Sequence, residues 1–256
     1  MSERWNFEDT GLNSGVFNMQ YDEQLAREVA SGNRLPTVRV YGWRPAAISF
    51  GWNQQLDEID VETANRSGID VVRRPTGGRA ILHSDELTYS VVKVVEHESI
   101  SAVYQAISLA LVRGLKELGI EAALEKVQPD FSSLYHTRSG AVCFSSSARN
   151  EIKVAGRKLV GSAQRRFYYS GKEVVLQHGS ILLGPDHLRI VDFFKLDGPI
   201  ERKVLRQELS DKTTTISSIV GSSLSFTDVV QAVRHGFESE WGIVFTSHLL
   251  QETVTA

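Results

Sequence analysis

The chain contains one cysteine, Cys143, in the stretch "SGAVCFSSSARNE". A thiol in partly exposed surroundings with a cation close by ionises readily and becomes a nucleophile, whereas a thiol among apolar neighbours is a small inert hydrophobe. Ala141, Val142 and Phe144 favour the second state, and Gly140 with the polar "SSSARNE" favours the first, so both readings stay open. Lys158, in "GRKLVGSAQ", is a candidate for the cation. If that stretch is a strand, Lys158 shares a face with Val160, Ser162 and Gln164, and a lysine beside a valine is expected to be half buried. The alternative is a strand-edge lysine with its ammonium in water. Gly161, Ser162 and Ala163 leave a gap in such a strand's surface where a slender apolar chain could lie.

A second concentration of chemistry is "RRPTGGR". Pro75 biases Arg74 toward extended backbone, and Gly77 and Gly78 let a ligand lie against bare main chain. The stretch lacks the spacing of a Walker loop or a G-x-G-x-x-G turn, and a tight turn with two solvated arginines would read the same way. His83 follows the loop, and His178 sits in "LQHGSILL". Either serves equally well as a hydrogen-bonded core histidine, and no H-x-x-x-H spacing points to a metal.

These residues need a scaffold. "VFNMQYDEQLAREVASGN" has helical apolar spacing and a glycine stop. "TVRVYGW", "AAISFGW" and "IDVVRRP" read as strands, with a helix at "LDEIDVETANRSG". "LTYSVVKVV" is a further strand, and "SAVYQAISLALVRGLKELG" is a long amphipathic helix closed by Gly119. From Glu151 the pattern becomes a meander of three antiparallel strands joined at Ala-Gly and Ser-Gly turns. "TTISSIVG" and "FTDVVQAVRHGFESEWG" are helix-like, and "IVF" is a possible last strand. The sum is an α+β fold with a mixed sheet, read as one domain over residues 1–256 with a helical part at 190–256.

Composition limits the function. With 28 basic and 31 acidic residues the formal charge is -3, so no cationic field favours nucleic acid. The polar N-terminus "MSERWNFEDTGLN" and the lack of a long apolar run point away from a signal peptide or membrane segment, and a lone cysteine excludes an intramolecular disulfide. A cytoplasmic protein without a structural metal is expected.

Taken together, "FNMQYDEQL", "ISFGWNQ", "RRPTGGRAILHSDELTYSV", "CFSSSARNEIKVAGRKLVGSAQRR" and "LQHGSILL" resemble the lipoate-protein ligase A and octanoyltransferase family, over roughly residues 5 to 190 and in family order. That family shares its fold with biotin protein ligases, which implies a largely antiparallel mixed sheet flanked by helices. The wording is most similar to the cysteine-dependent octanoyl-[acyl carrier protein]:protein N-octanoyltransferases. The resemblance implies that Gly77, Gly78 and His83 line an acyl site, with Gly161 and Ser162 beside the chain and Arg74 facing the anionic end of the donor. It also implies that Lys158 contacts the acyl carbonyl and that Cys143 carries the acyl group as a thioester. The implied donor is octanoyl-acyl carrier protein. The acceptor is a lipoyl-domain protein, such as glycine cleavage H protein or a 2-oxoacid dehydrogenase E2 subunit, and no cofactor is needed. On this reading Lys158→Ala and Lys158→Arg stop transfer without unfolding the chain. Three alternatives compete: an ATP-dependent lipoate-protein ligase, possible also as the catalytic part of a split ligase; an amidotransferase moving octanoyl between lipoyl proteins; and a non-catalytic binder.

Overall fold

The computed structural model describes residues 3–125 and 151–247. Its strands and helices form three layers. The middle layer is an eight-stranded sheet of order β11-β1-β2-β6-β10-β9-β8-β7. These strands are β1 (Arg4–Asn13), β2 (Thr37–Trp43), β6 (Glu86–Val95), β7 (Ala123–Leu124), β8 (Ile152–Val154), β9 (Arg157–Tyr169), β10 (Lys172–Leu182) and β11 (Val244–Ser247). β1 runs parallel to both β2 and β11, and the other pairs are antiparallel. The sheet is therefore mixed and largely antiparallel, as expected.

Two-residue alternation gives this sheet two different faces. Val38 and Val40 of β2, Leu87, Tyr89 and Val91 of β6, and Val175 and Ile181 of β10 join one apolar cluster. The apolar stripes of α3 (Ile100–Glu117) and α6 (Phe226–Trp241) complete it with Ile107, Leu111, Val233 and Phe237. The opposite face carries Arg39, Tyr41, Thr88, Ser90, His178 and Ser180, all buried. It is covered by α1 (Gly15–Ser31) and by a small sheet of β4 (Asp70–Arg73), β3 (Ala47–Phe50) and β5 (Ile81–His83). A sheet face this polar is buried only if its groups bond one another.

Helix ends follow their capping residues. Ser14 accepts from the Phe17 amide and Ser99 from the Ala102 amide, at 3.3 and 3.1 Å. Gly32 and Gly242 close α1 and α6 in the left-handed conformation. The helix expected at "LDEIDVETANRSG" is only α2 (Val61–Arg66), capped by Asp60. The meander from Glu151 and the closing strand form where they were expected. Among the described residues no helix is long and apolar enough to cross a membrane.

Candidate active site

Between the polar sheet face and the small sheet lies a narrow slot enclosing about 340 Å³ of space between atoms, its mouth included. Only about 20 Å³ of this is open to the centre of a water molecule, so the slot as it stands has room for about one water and an acyl chain would have to part its walls. Its floor follows from strand register: Gly161 pairs with Ser180 and Ala163 with His178, so the two smallest residues of β9 face the same side as the hydroxyl and imidazole of β10. Gly179, between them, lies where β9 and β6 crowd in. A Cβ there would stand 2.5 Å from Gly161 O and 2.8 Å from Tyr89 Cε1, so only glycine permits the close pairing. Met19 of α1, Trp43, Ser49 and Ile81 add walls.

Polar residues line this slot, yet the surface they present is almost all carbon. Their heteroatoms are bonded to one another. Glu86 Oε1 accepts from Ser180 Oγ and from Thr88 Oγ1 at 2.8 and 2.5 Å, and lies 2.8 Å from His83 Nδ1. The other imidazole nitrogen, His83 Nε2, is 2.7 Å from Ser49 Oγ, and the ring stacks on Trp43 at 4.0 Å. A matching arrangement sits beside it. Asp22 accepts from Arg39, Tyr41 and Ser90 and lies 3.2 Å from His178 Nδ1, while His178 Nε2 is 2.6 Å from Thr76 Oγ1. Burial alone would raise both carboxyls. The Arg39 charge and the His178 N–H nevertheless hold Asp22 below the usual range, and His83 with two hydroxyls does the same for Glu86. Burial outweighs Asp22 at His178 and lowers its pKa, so that imidazole is neutral near pH 7.

The Arg-Gly-Gly loop is held from within. Arg74 is buried and donates to Gly77 O, Arg79 O, Ser49 O and Ser49 Oγ at 2.7–3.1 Å. Its guanidinium therefore folds the loop onto β3. Gly78 takes a positive φ of 95°, and its carbonyl lies against Gly51. Outside the loop, Arg165 donates to Pro75 O at 2.8 Å and stacks 4.3 Å over the half-exposed Trp52.

Of the residues singled out from sequence, Arg74, His83, Gly161 and Ser162 line the slot, with Ser162 turning its hydroxyl to Tyr89 on the far face at 2.7 Å. His178 joins them. Gly77 and Gly78 belong to the adjoining loop and are not in the lining. Lys158 is also outside the lining: alternation puts it on the face of Val160 and Ser162. It is not half buried but 2% exposed, donating at 2.6 Å to Glu151, itself 4% exposed. The expected half-burial fails because a carboxylate waits just ahead of β8, which strand alternation cannot reveal. Thr214 N donates to Lys158 O at 3.0 Å and fixes the backbone there. Cys143 lies outside the described residues. Asp22, Ser49, Thr88, Glu86 and Glu151 were missed. Asp22 was already inside the quoted "FNMQYDEQL", and an acid on the inner face of an amphipathic helix was the available signal. Among the described residues no cluster of His, Cys, Asp and Glu is placed to hold a metal ion.

Residues 14–238 match the family model of the lipoyl protein ligase A/B catalytic domain. Octanoyltransferase LipM of Anoxybacillus flavithermus is 38% identical over 243 residues, covering 92% of this chain and 86% of that protein. Octanoyltransferase LipM of Bacillus subtilis is 36% identical over 244 residues, covering 93% and 86%. Among solved structures, the bi-partite lipoate protein ligase of Thermoplasma acidophilum superposes with a TM-score of 0.78 at 20% identity, covering 96% of this chain and 87% of that one. A lipoate-protein ligase A bound with ATP gives 0.74 at 22% identity, covering 97% and 89%. At these identities the structural matches establish the fold.

Proposed function

This chain belongs to the lipoyl protein ligase A/B catalytic-domain family, and from that premise we propose that it is an octanoyltransferase moving an octanoyl group from acyl carrier protein to a lysine of a lipoyl-domain protein. The observation that carries this reading is the 36–38% identity, over more than nine-tenths of the chain, to proteins named octanoyltransferase. The slot supports it. A saturated chain needs apolar walls and no polar partner, and the hydroxyls and imidazoles around the slot are already bonded to one another.

Cys143 is the nucleophile in this proposal. Its thiolate attacks the thioester carbonyl of octanoyl-acyl carrier protein, and the carrier's thiol departs with a proton. The acyl-enzyme is then attacked by the acceptor's lysine amine, forming the amide and returning the Cys143 thiol. One thioester is exchanged for another before the downhill step to an amide, so no nucleotide is consumed. Lys158, whose ammonium Glu151 holds, is outside the slot lining, so in this reading it would meet the acyl carbonyl at the thioester end of the donor and not along the chain. Because the pair is net neutral, its pull on a nearby thiol is that of a dipole, weaker than that of a lone cation. Gly77 and Gly78 give the donor a bare backbone edge beside the slot.

Intact mass measurement after incubation with octanoyl-acyl carrier protein, without ATP, tests the proposal. The wild-type chain gains one octanoyl group that hydroxylamine removes, Cys143→Ala gains none, and added apo lipoyl domain becomes octanoylated. Modification of that domain only with free lipoate and ATP would identify a ligase instead.

A further inference from the structure

Thioester chemistry at Cys143 leaves unexplained why an acid, an imidazole and a hydroxyl are lined up inside the slot. Ser49 Oγ is 2.7 Å from His83 Nε2, and His83 Nδ1 is 2.8 Å from Glu86 Oε1. All three residues are buried, at 0%, 5% and 3% exposure, and Ser49 and His83 are part of the lining.

The proton positions follow from the donor and acceptor inventory. Glu86 Oε1 accepts from Thr88 and Ser180, so as a carboxylate it also takes the proton of His83 Nδ1. In that tautomer of the neutral imidazole, Nε2 accepts and Ser49 Oγ donates. Ser49 Oγ in turn receives an N–H from the Arg74 guanidinium at 3.0 Å, a charge that favours oxyanion character on that oxygen. Trp43 stacks on one face of the imidazole at an interplanar angle of 12°, and Ser180 Oγ lies 3.3 Å from Nδ1 at its edge. The neighbouring His178 meets Asp22, which Arg39 and Tyr41 also hold. There the terminal hydroxyl belongs to Thr76, which does not line the slot.

We propose that Ser49, His83 and Glu86 form a second nucleophilic centre in the slot, one that takes a medium-chain acyl group as a serine ester and releases it to water. The Ser49 O–H proton passes to His83 Nε2 as Oγ attacks the acyl carbonyl, and the departing thiol or alcohol carries that proton away. Water, deprotonated by His83, then cleaves the serine ester to the free acid, and Ser49 regains its proton. The net reaction consumes one water and yields one carboxylic acid and one thiol or alcohol. The preference for a medium chain rests on the slot being the acyl site of the proposed transferase, whereas the nucleophilicity of Ser49 does not.

The test uses the full chain with Cys143→Ala, p-nitrophenyl octanoate and a fluorophosphonate probe. The expected result is hydrolysis with a burst of one nitrophenolate per chain and a fluorophosphonate adduct on the Ser49 peptide. Adding Ser49→Ala should lower the burst rate by at least about 100-fold. Adding Ser49→Cys should give an octanoyl adduct that neutral hydroxylamine removes. The labelling arm leaves residue 49 unchanged, so it decides the matter even if the Ser49 substitutions disturb folding. An unlabelled Ser49, or hydrolysis equal in the Ser49→Ala chain, overturns the second centre. Nucleotide-free transfer by the wild-type chain tests the transferase reading separately, so the two can fail independently.

Discussion

Lys158→Met leaves Glu151 as a carboxylate 4% exposed, without the ammonium that donates to it at 2.6 Å. Its other oxygen, Oε2, has no hydrogen-bond partner among the described residues, so none of them takes over the charge. Removing one partner of such a pair costs about 3–5 kcal/mol. At roughly 2–4 °C per kcal/mol for a chain of this size class, the melting temperature should fall by roughly 6–20 °C. Glu151→Gln alone should also destabilise, since it removes the negative charge opposite the buried ammonium. Lys158→Met combined with Glu151→Met removes both charges and should return to within about 1.5 kcal/mol of wild type, because buried pairs replaced by apolar residues are close to neutral. Thermal and urea unfolding of the four chains, with nucleotide-free octanoyl transfer measured in parallel, separate stability from activity. The double variant should be folded and inactive. A Lys158→Met chain that melts within about 2 °C of wild type would refute the argument and restore the view that this lysine can be removed without cost to the fold.

Ala163→Leu projects a branched side chain into the slot from β9 and should cut octanoyl transfer at least tenfold while sparing a two-carbon acyl donor; equal loss for both would mean that the chain lies elsewhere. Gly179→Ala should destabilise by about 1–3 kcal/mol in urea titrations, since its Cβ meets the Gly161 carbonyl at 2.5 Å. Burial lowers His187 from 6.5 to about 4, so between those values the unfolded chain binds more protons, and stability drops as pH falls through the window. The full contribution is about 3 kcal/mol, and His187→Asn should flatten that part of the stability–pH curve, as urea midpoints taken across the window would show. Asp22 and Glu86, held low when folded, add stability that is present above the ordinary carboxylate range and lost as pH falls through their lowered values.

Elements with strong periodicity were legible: β2 is "TVRVYGW" to the residue, and the turns of the β8–β10 meander fall at Ala155-Gly156 and Ser170-Gly171, where φ turns positive. β1 was not. Its inward residues Trp5 and Phe7 alternate properly, but Asn6, Glu8 and Asp9 make the segment look like a polar terminus. Glu8 is tolerated because Tyr21 of the next helix donates to it at 2.8 Å and Arg34 pairs with it at 3.3 Å. The helix α4 (Pro199–Lys212) escaped for a related reason, burying only Leu205 and Leu209. In the site, the "RRPTGGR" loop and the small residues of β9 announced themselves by composition. The hydrogen-bonded clusters did not, since their members come from far apart in the chain, as Ser180 and Glu86 or His178 and Thr76 do. Which hydroxyl meets which imidazole is decided by sheet register, and register is not written in any local window.

The position of β1 has a bearing on how the molecule is made. β1 pairs through residues 4–7 with β11, which starts at residue 244, and from residue 6 onward with β2, complete by residue 43. A ribosome extends a chain at about 5–20 residues per second, so β1 waits on the order of ten seconds or more for its outer neighbour. During that interval its unpaired amides and carbonyls offer a template to any extended strand nearby. Neighbouring copies emerging from one message are the nearest such strands, and the exposed charge of Asp9, just beyond residues 4–7, is placed to repel its like.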